Sequence, residues 1–132
     1  MKLSWTPHES LGPFHLGSPV ETANGIATLI ETPTDVDDVA QLRSFVTPDG
    51  ALRLEVGADG MIASISATRS FLHGERNLIG RSLPDVQAIL GAAADALEEI
   101  AVDDGTLLIA DFDALGLQFV VRDGRVAAAT CF

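Results

Sequence analysis

The 132 residues include one cysteine, Cys131, one tryptophan, Trp5, and no tyrosine. A single thiol excludes an internal disulfide, so this fold has to rest on a packed core and suits a reducing compartment. Bases are scarce as well: eight Lys and Arg stand against 19 Asp and Glu, a formal net charge of −11. That imbalance repels nucleic acid phosphates and anionic membrane surfaces at long range, so neither is expected as a partner. No stretch approaches the roughly 18 apolar residues of a membrane span. The opening Met1-Lys2-Leu3-Ser4-Trp5-Thr6-Pro7-His8 has no apolar run of the kind an export signal carries. A soluble, cytoplasmic protein is the expectation.

Catalytic signatures are missing too. No G-x-S-x-G, S-x-x-K, Walker or dinucleotide fingerprint occurs, and the glycines lie scattered at turns and helix ends. His8, His15 and His73 show no i, i+4 partner that would make a metal pair. Cys131, close to the last residue in an Ala-rich strand, reads as a buried, inert thiol. No catalytic residue, no metal and no cofactor is expected, and the chain is not read as an enzyme.

What the sequence does have is apolar surface and repetition. Hydrophobic residues make up 47% of the chain, enough to offset the entropy of ordering a single domain over 1–132. Residues 63 apart match in character: Leu16-Gly17 with Ile79-Gly80, Val20 with Leu83, and Ala51 to Val56 with Ala114 to Phe119. The offset then becomes 64, and Asp59-Gly60-Met61-Ile62-Ala63 falls on Asp123-Gly124-Arg125-Val126-Ala127. The expected organisation is an N-terminal arm, 1–11, followed by two repeat units, 12–70 and 74–132.

Each unit reads as a helix followed by strands. The first helix is expected over Ser18 to Ile30, with Gly25 as a weak point inside it. The second runs from an N-cap at Ser82 through Val86, Ile89 and Leu90 to a stop at Gly91. Leu52, Leu54 and Val56 then alternate with Arg53 and Glu55, as Leu115, Leu117 and Phe119 alternate with Gly116 and Gln118, the period of a sheet with one buried face. Asp59-Gly60 and Asp123-Gly124 predict two-residue hairpin turns, and Asp104-Gly105 a further hairpin between Leu97 to Val102 and Thr106 to Ala110. An opening strand of the first unit is faint near Val36 to Val39. The expected fold class is α+β: two tandem helix-plus-antiparallel-meander units packing helices on one face of a sheet.

The segment Gly80-Arg81-Ser82-Leu83-Pro84-Asp85-Val86 with Leu90-Gly91, and more weakly Gly12-Pro13-Phe14-His15-Leu16-Gly17, resembles the repeat of the β-lactamase inhibitor protein and of the BamE-type outer-membrane assembly domain. The resemblance covers 12–132 as tandem units and implies a repeat sheet used to bind another protein. A looser likeness, in size, charge and compartment, is to the small acidic immunity proteins that neutralise bacterial toxins.

Acidic residues are the remaining candidates for function. Asp111-Phe112-Asp113 is a D-x-D step able to hold a divalent cation, but its counterpart in the first unit is Pro48-Asp49-Gly50, so turn chemistry is the stronger reading. Asp35, Asp37 and Asp38 read as a solvated loop. Between Arg81 and Arg122 there is no base, while Asp85, Asp95, Glu98, Glu99, Asp103, Asp104, Asp111 and Asp113 all lie there. Such an uncompensated edge would steer a basic partner. Trp5 is read as cover for an open side of the core.

These observations support a non-catalytic protein-binding module, most concretely a cytoplasmic immunity or inhibitor protein that neutralises a basic toxin or enzyme. The expected contact residues are Asp95, Glu98, Glu99, Asp103, Asp104, Asp111 and Asp113. Two alternatives stay open. One is a ligand-binding or enzymatic site between the units, sought first in a cleft lined by Arg43, Arg53 and Arg122. The other is self-association, as a homodimer, through a sheet edge.

Overall fold

A computed structural model describes residues 2–32 and 43–132. The first part of the chain forms three two-residue strands, β1 (Trp5–Thr6), β2 (Ser10–Leu11) and β3 (Phe14–His15), then a single helical turn, α1 (Glu21–Asn24), and β4 (Ile30–Thr32). A meander follows: β5 (Arg43–Val46), β6 (Leu52–Val56) and β7 (Ile62–Ala67). A small hairpin, β8 (Leu72–His73) and β9 (Arg76–Asn77), leads into α2 (Leu83–Leu90). The last four strands are β10 (Ala96–Val102), β11 (Gly105–Phe112), β12 (Leu117–Arg122) and β13 (Arg125–Cys131), with a 3-10 turn at Asp113–Leu115 between β11 and β12.

Eight of these strands make one antiparallel sheet in the order β10-β11-β12-β13-β7-β6-β5-β4. Each half of the chain supplies one four-stranded meander, and the last strand of each half lies at the centre against the other. The alternating apolar residues share one face, because directly paired residues in an antiparallel ladder point the same way. Leu54 pairs with Ile65, Ile65 with Cys131, Cys131 with Leu117, and Leu117 with Phe112; all five are buried.

The fold-class expectation is overturned. The structure is 49% strand and 12% helix, with one large sheet and no helical layer upon it. The physical reason lies in what covers the buried face. Leu3, Trp5, Leu11 and Phe14 come from the arm and its small strands, and Phe71 and Leu78 from around the β8–β9 hairpin, whereas α1 buries only Ala23 and α2 only Val86. The helix expected over Ser18 to Ile30 collapses to Glu21–Asn24, ended at Gly25, and Ile30 belongs to a strand. Four residues cannot sustain a helix without heavy tertiary support, since nucleation is costly. The second helix matches its reading: Ser82 Oγ accepts from the Asp85 N–H at 3.3 Å, and Gly91 closes the C-terminus with φ 67°. Val36 to Val39 lie outside the described residues.

The two halves share an irregularity of the ladder. In β6–β7 the register passes from Glu55 opposite Ser64 to Val56 opposite Ile62, leaving Ala63 as the extra residue of a bulge. In β12–β13 it passes from Val120 opposite Ala128 to Val121 opposite Val126, leaving Ala127, 64 residues on, in the same role. Measured from those bulges, Leu54 corresponds to Phe119, 65 residues on, where the apolar alternation suggests an offset of 63. A slip of two leaves every side chain on its own face, so period-2 patterning is blind to it. The turns differ accordingly. Asp123 (φ 53°) and Gly124 (φ 77°) form the two-residue turn that Asp-Gly favours. The first hairpin instead uses three residues, with the Gly57 N–H donating to the Met61 carbonyl at 3.0 Å and Gly60 at φ 80°.

Candidate protein-binding edge

The hairpin β10–β11 forms one border of the sheet where the sequence places a hairpin, but its closing turn is Asp103-Asp104, with Gly105 already in β11 opposite Val102 and outside the turn. Its inner strand is anchored by Ala110 and Phe112, both buried. The outer strand is not: every residue of β10 from Ala96 to Ala101 is exposed. Leu97 is 58% and Ile100 40% accessible, and no described residue pairs with the outer edge of β10. Seven residues span about 23 Å at the usual strand rise.

The acidic residues divide along this border. Asp95, Asp111 and Asp113 gather at one end. There the Asp95 N–H donates to the Asp111 carbonyl (2.7 Å), Asp95 Oδ2 accepts from the Asp113 N–H (2.7 Å), and Asp111 Oδ1 accepts from Gln118 Nε2 (2.8 Å). Asp103 and Asp104 mark the other end, where Asp104 lies 3.5 Å from the Arg122 guanidinium. Midway, Glu98 pairs across to Ile109 and Glu99 to Leu108, so their carboxylates leave opposite faces of the sheet. The seven residues therefore form a line along one border and no single cluster. Among the described residues no set of three His, Cys, Asp or Glu side chains could hold a metal ion. The turn reading of Asp111-Phe112-Asp113 is corrected: Asp111 and Phe112 are strand residues of β11, paired with Gln118 and Leu117, and only Asp113 opens the 3-10 turn. Asp49 does sit in a turn, where its Oδ1 accepts from the Ala51 N–H (3.0 Å) and the Thr47 hydroxyl (2.8 Å), which holds its carboxyl below the usual range.

Sequence reasoning missed the apolar content of this border. Ile100, Leu107, Ile109 and Val120 share the open face of the sheet, opposite the core. The available signal was the unbroken run Leu107-Leu108-Ile109-Ala110, which places apolar side chains on both faces of one strand.

The three arginines sought as one cleft lie apart, each beside a carboxylate. Arg43 meets Glu31 at 2.6 Å, Arg53 meets Glu55 at 3.8 Å, and Arg122 meets Asp104. Arg53 alone borders a surface hollow of about 480 Å³, which reaches Ser66 and Thr68 of the first half and Ala128 of the second. Hollows of about 450 Å³ beside Thr28, Asp49 and Arg69, and about 410 Å³ beside His73, Arg76 and Ile89, lie elsewhere.

Trp5 packs as expected, its ring 6.1 Å from Phe71 and 5.5 Å from His73. Cys131 is buried, and burial pushes its thiol up to about 12. No helix among the described residues is long and apolar enough to cross a membrane. Comparisons with protein-family models, with curated proteins and with solved structures gave no match.

Proposed function

We propose that this chain is a non-catalytic protein-binding module that presents the β10–β11 border to a basic partner. One observation carries the reading. A seven-residue outer strand, the longer of the sheet's two borders, stands exposed, and seven of the acidic residues of the base-free stretch line it from end to end. Of the seven candidate acids, only Asp104 has a described basic side chain within ion-pair distance, so the negative potential of the border is left for an incoming cationic surface. The immunity or inhibitor role is the concrete form of this proposal: a cytoplasmic acidic protein that occupies and neutralises a basic toxin or enzyme.

The test is affinity capture with the full chain as bait, washed at low and at high salt, beside a Glu98→Lys/Glu99→Lys variant. The expected result is a basic protein retained by the natural chain at low salt, released at high salt and lost to the variant. Equal capture by both baits, or no basic protein among those retained, would overturn the reading.

A second reading has one specific observation in its favour. The hollow beside Arg53 spans the junction of the two halves, the place where a small anionic ligand would find a cation and hydroxyls together. Calorimetry with small carboxylates, using Arg53→Ala as the control, tests it.

A further inference from the structure

We propose that β10 binds its partner by strand addition, and that the added strand carries the pattern apolar-basic-basic-apolar. The inference rests on the reading above, that this border takes a basic protein partner, and specifies how. A sheet edge offers a row of unpaired backbone N–H and C=O groups, and proteins usually blunt such edges with charged side chains, lysine above all, or with prolines, bulges or very short strands; the charges on β10 are Glu98 and Glu99, which repel another acidic strand and admit a basic one. Here β10 is seven residues long, contains neither Pro nor Lys, and keeps an unbroken one-to-one register with β11 from Ala96 opposite Asp111 to Val102 opposite Gly105. It is a regular template with its outer side open among the described residues.

The side chains of β10 specify the visitor. A strand added antiparallel would place one residue opposite each of Leu97, Glu98, Glu99 and Ile100. Opposite Leu97, on the core face, an apolar residue would lengthen the row Leu97, Ala110, Phe119, Ala129 and Ala67. Opposite Ile100, on the open face, another would cover a side chain left 40% exposed beside Leu107. Opposite Glu98 and Glu99, two adjacent bases would each meet a carboxylate, one on each face, since successive side chains alternate.

A second copy of the chain fits poorly. Symmetric pairing centred on Glu99 sets that carboxylate against its own image, and pairing centred on Glu98 does the same there. Two chains of net charge −11 also repel each other as they approach. The occupant that complements both the charge and the apolar flanks is an extended basic segment of another protein.

The probe is a capped synthetic octapeptide, Ser-Thr-Val-Lys-Arg-Val-Thr-Ser, titrated into the labelled full chain and followed by backbone amide chemical shifts. A composition-matched peptide with the order Lys-Val-Val-Arg at its centre has the same charge but puts apolar groups opposite the glutamates. The expected result is shift changes confined to β10 and β11, with the permuted peptide at least about tenfold weaker. N-methylation of the peptide bonds that face β10 should abolish binding, whereas methylation of the outward bonds should leave it unchanged. Equal binding of both sequences, indifference to N-methylation, or no binding at millimolar peptide would each overturn strand addition. The capture experiment decides separately whether a basic partner exists, so a chain that retains one there yet is indifferent to N-methylation keeps the first reading and loses this one.

Discussion

Ser66 and Thr130 are the same position of the two halves, 64 residues apart in sequence, and they face each other across the centre of the sheet with their hydroxyls 2.7 Å apart. Their neighbours obey the same exchange: Ala129 lies opposite Ala67 and Cys131 opposite Ile65, so each pair maps onto the other when the halves are swapped. An approximate two-fold axis therefore passes through this hydroxyl pair.

Breaking that pair should cost little but measurably. Ser66→Ala or Thr130→Ala is expected to lower unfolding free energy by about 0.5–1.5 kcal/mol, the usual net worth of one such bond. A double-mutant cycle in urea should return a coupling of about 0.5 kcal/mol or more, as directly paired residues do. Strict additivity would mean the two hydroxyls contribute independently.

The core should respond far more strongly than the border. Phe119 stacks edge-on with Phe112 at 5.5 Å and with Phe71 at 6.4 Å, and is fully buried. Phe119→Ala is expected to cost about 3–5 kcal/mol in urea unfolding, whereas Leu97→Ala on the exposed strand should stay within about 0.5 kcal/mol.

Amide exchange should rank the strands in the same way. Backbone amides of β7 and β13 are expected to exchange only through global unfolding, and those on the outer side of β10 to exchange fastest of any strand. Hydrogen exchange read by NMR gives the ranking directly; protection along β10 equal to that of β13 would contradict an open border.

Cys131 should be silent in the folded protein. Its thiol is buried and held up to about 12, so at pH 8 it should resist a thiol reagent until denaturant is added. The sign for stability follows from the folded state retaining the proton longer. Stability is unaffected at neutral pH and falls as pH rises past the unfolded thiol value, near 9, toward the folded one. A Cys131→Ala variant should lose that alkaline decline.

Asp49 gives the opposite slope. Its carboxyl is held low by the Ala51 N–H and the Thr47 hydroxyl, so its contribution is complete above the unfolded Asp value, about 3.9, and is lost as pH falls through the lower folded one. Asp49→Ala should flatten the acid side of the stability profile, measured by urea midpoint against pH.

Much of the sheet was legible because period-2 alternation and Asp-Gly turns act locally. Leu52, Leu54 and Val56 needed only their neighbours to read as a half-buried strand, and Ser82 with Gly91 framed α2 on capping chemistry alone. The cover of the core was not legible. Trp5, Leu11 and Phe14 lie on strands of two residues and Leu3 on none, too little to show any period, and their burial depends on contacts with distant strands. The candidate acids were found as a stretch without bases, yet composition could not tell that Glu98 and Glu99 would leave opposite faces or that Asp95 would cap the backbone of Asp113. Pairing across strands decided both.

The place of β13 has a consequence for assembly. Arg125–Cys131 comes after every other strand in the chain, yet it fills the seam between the two halves. The two halves are joined along their ladders through this strand alone, so without it β7 and β12 would each be left with an edge open to the wrong partner.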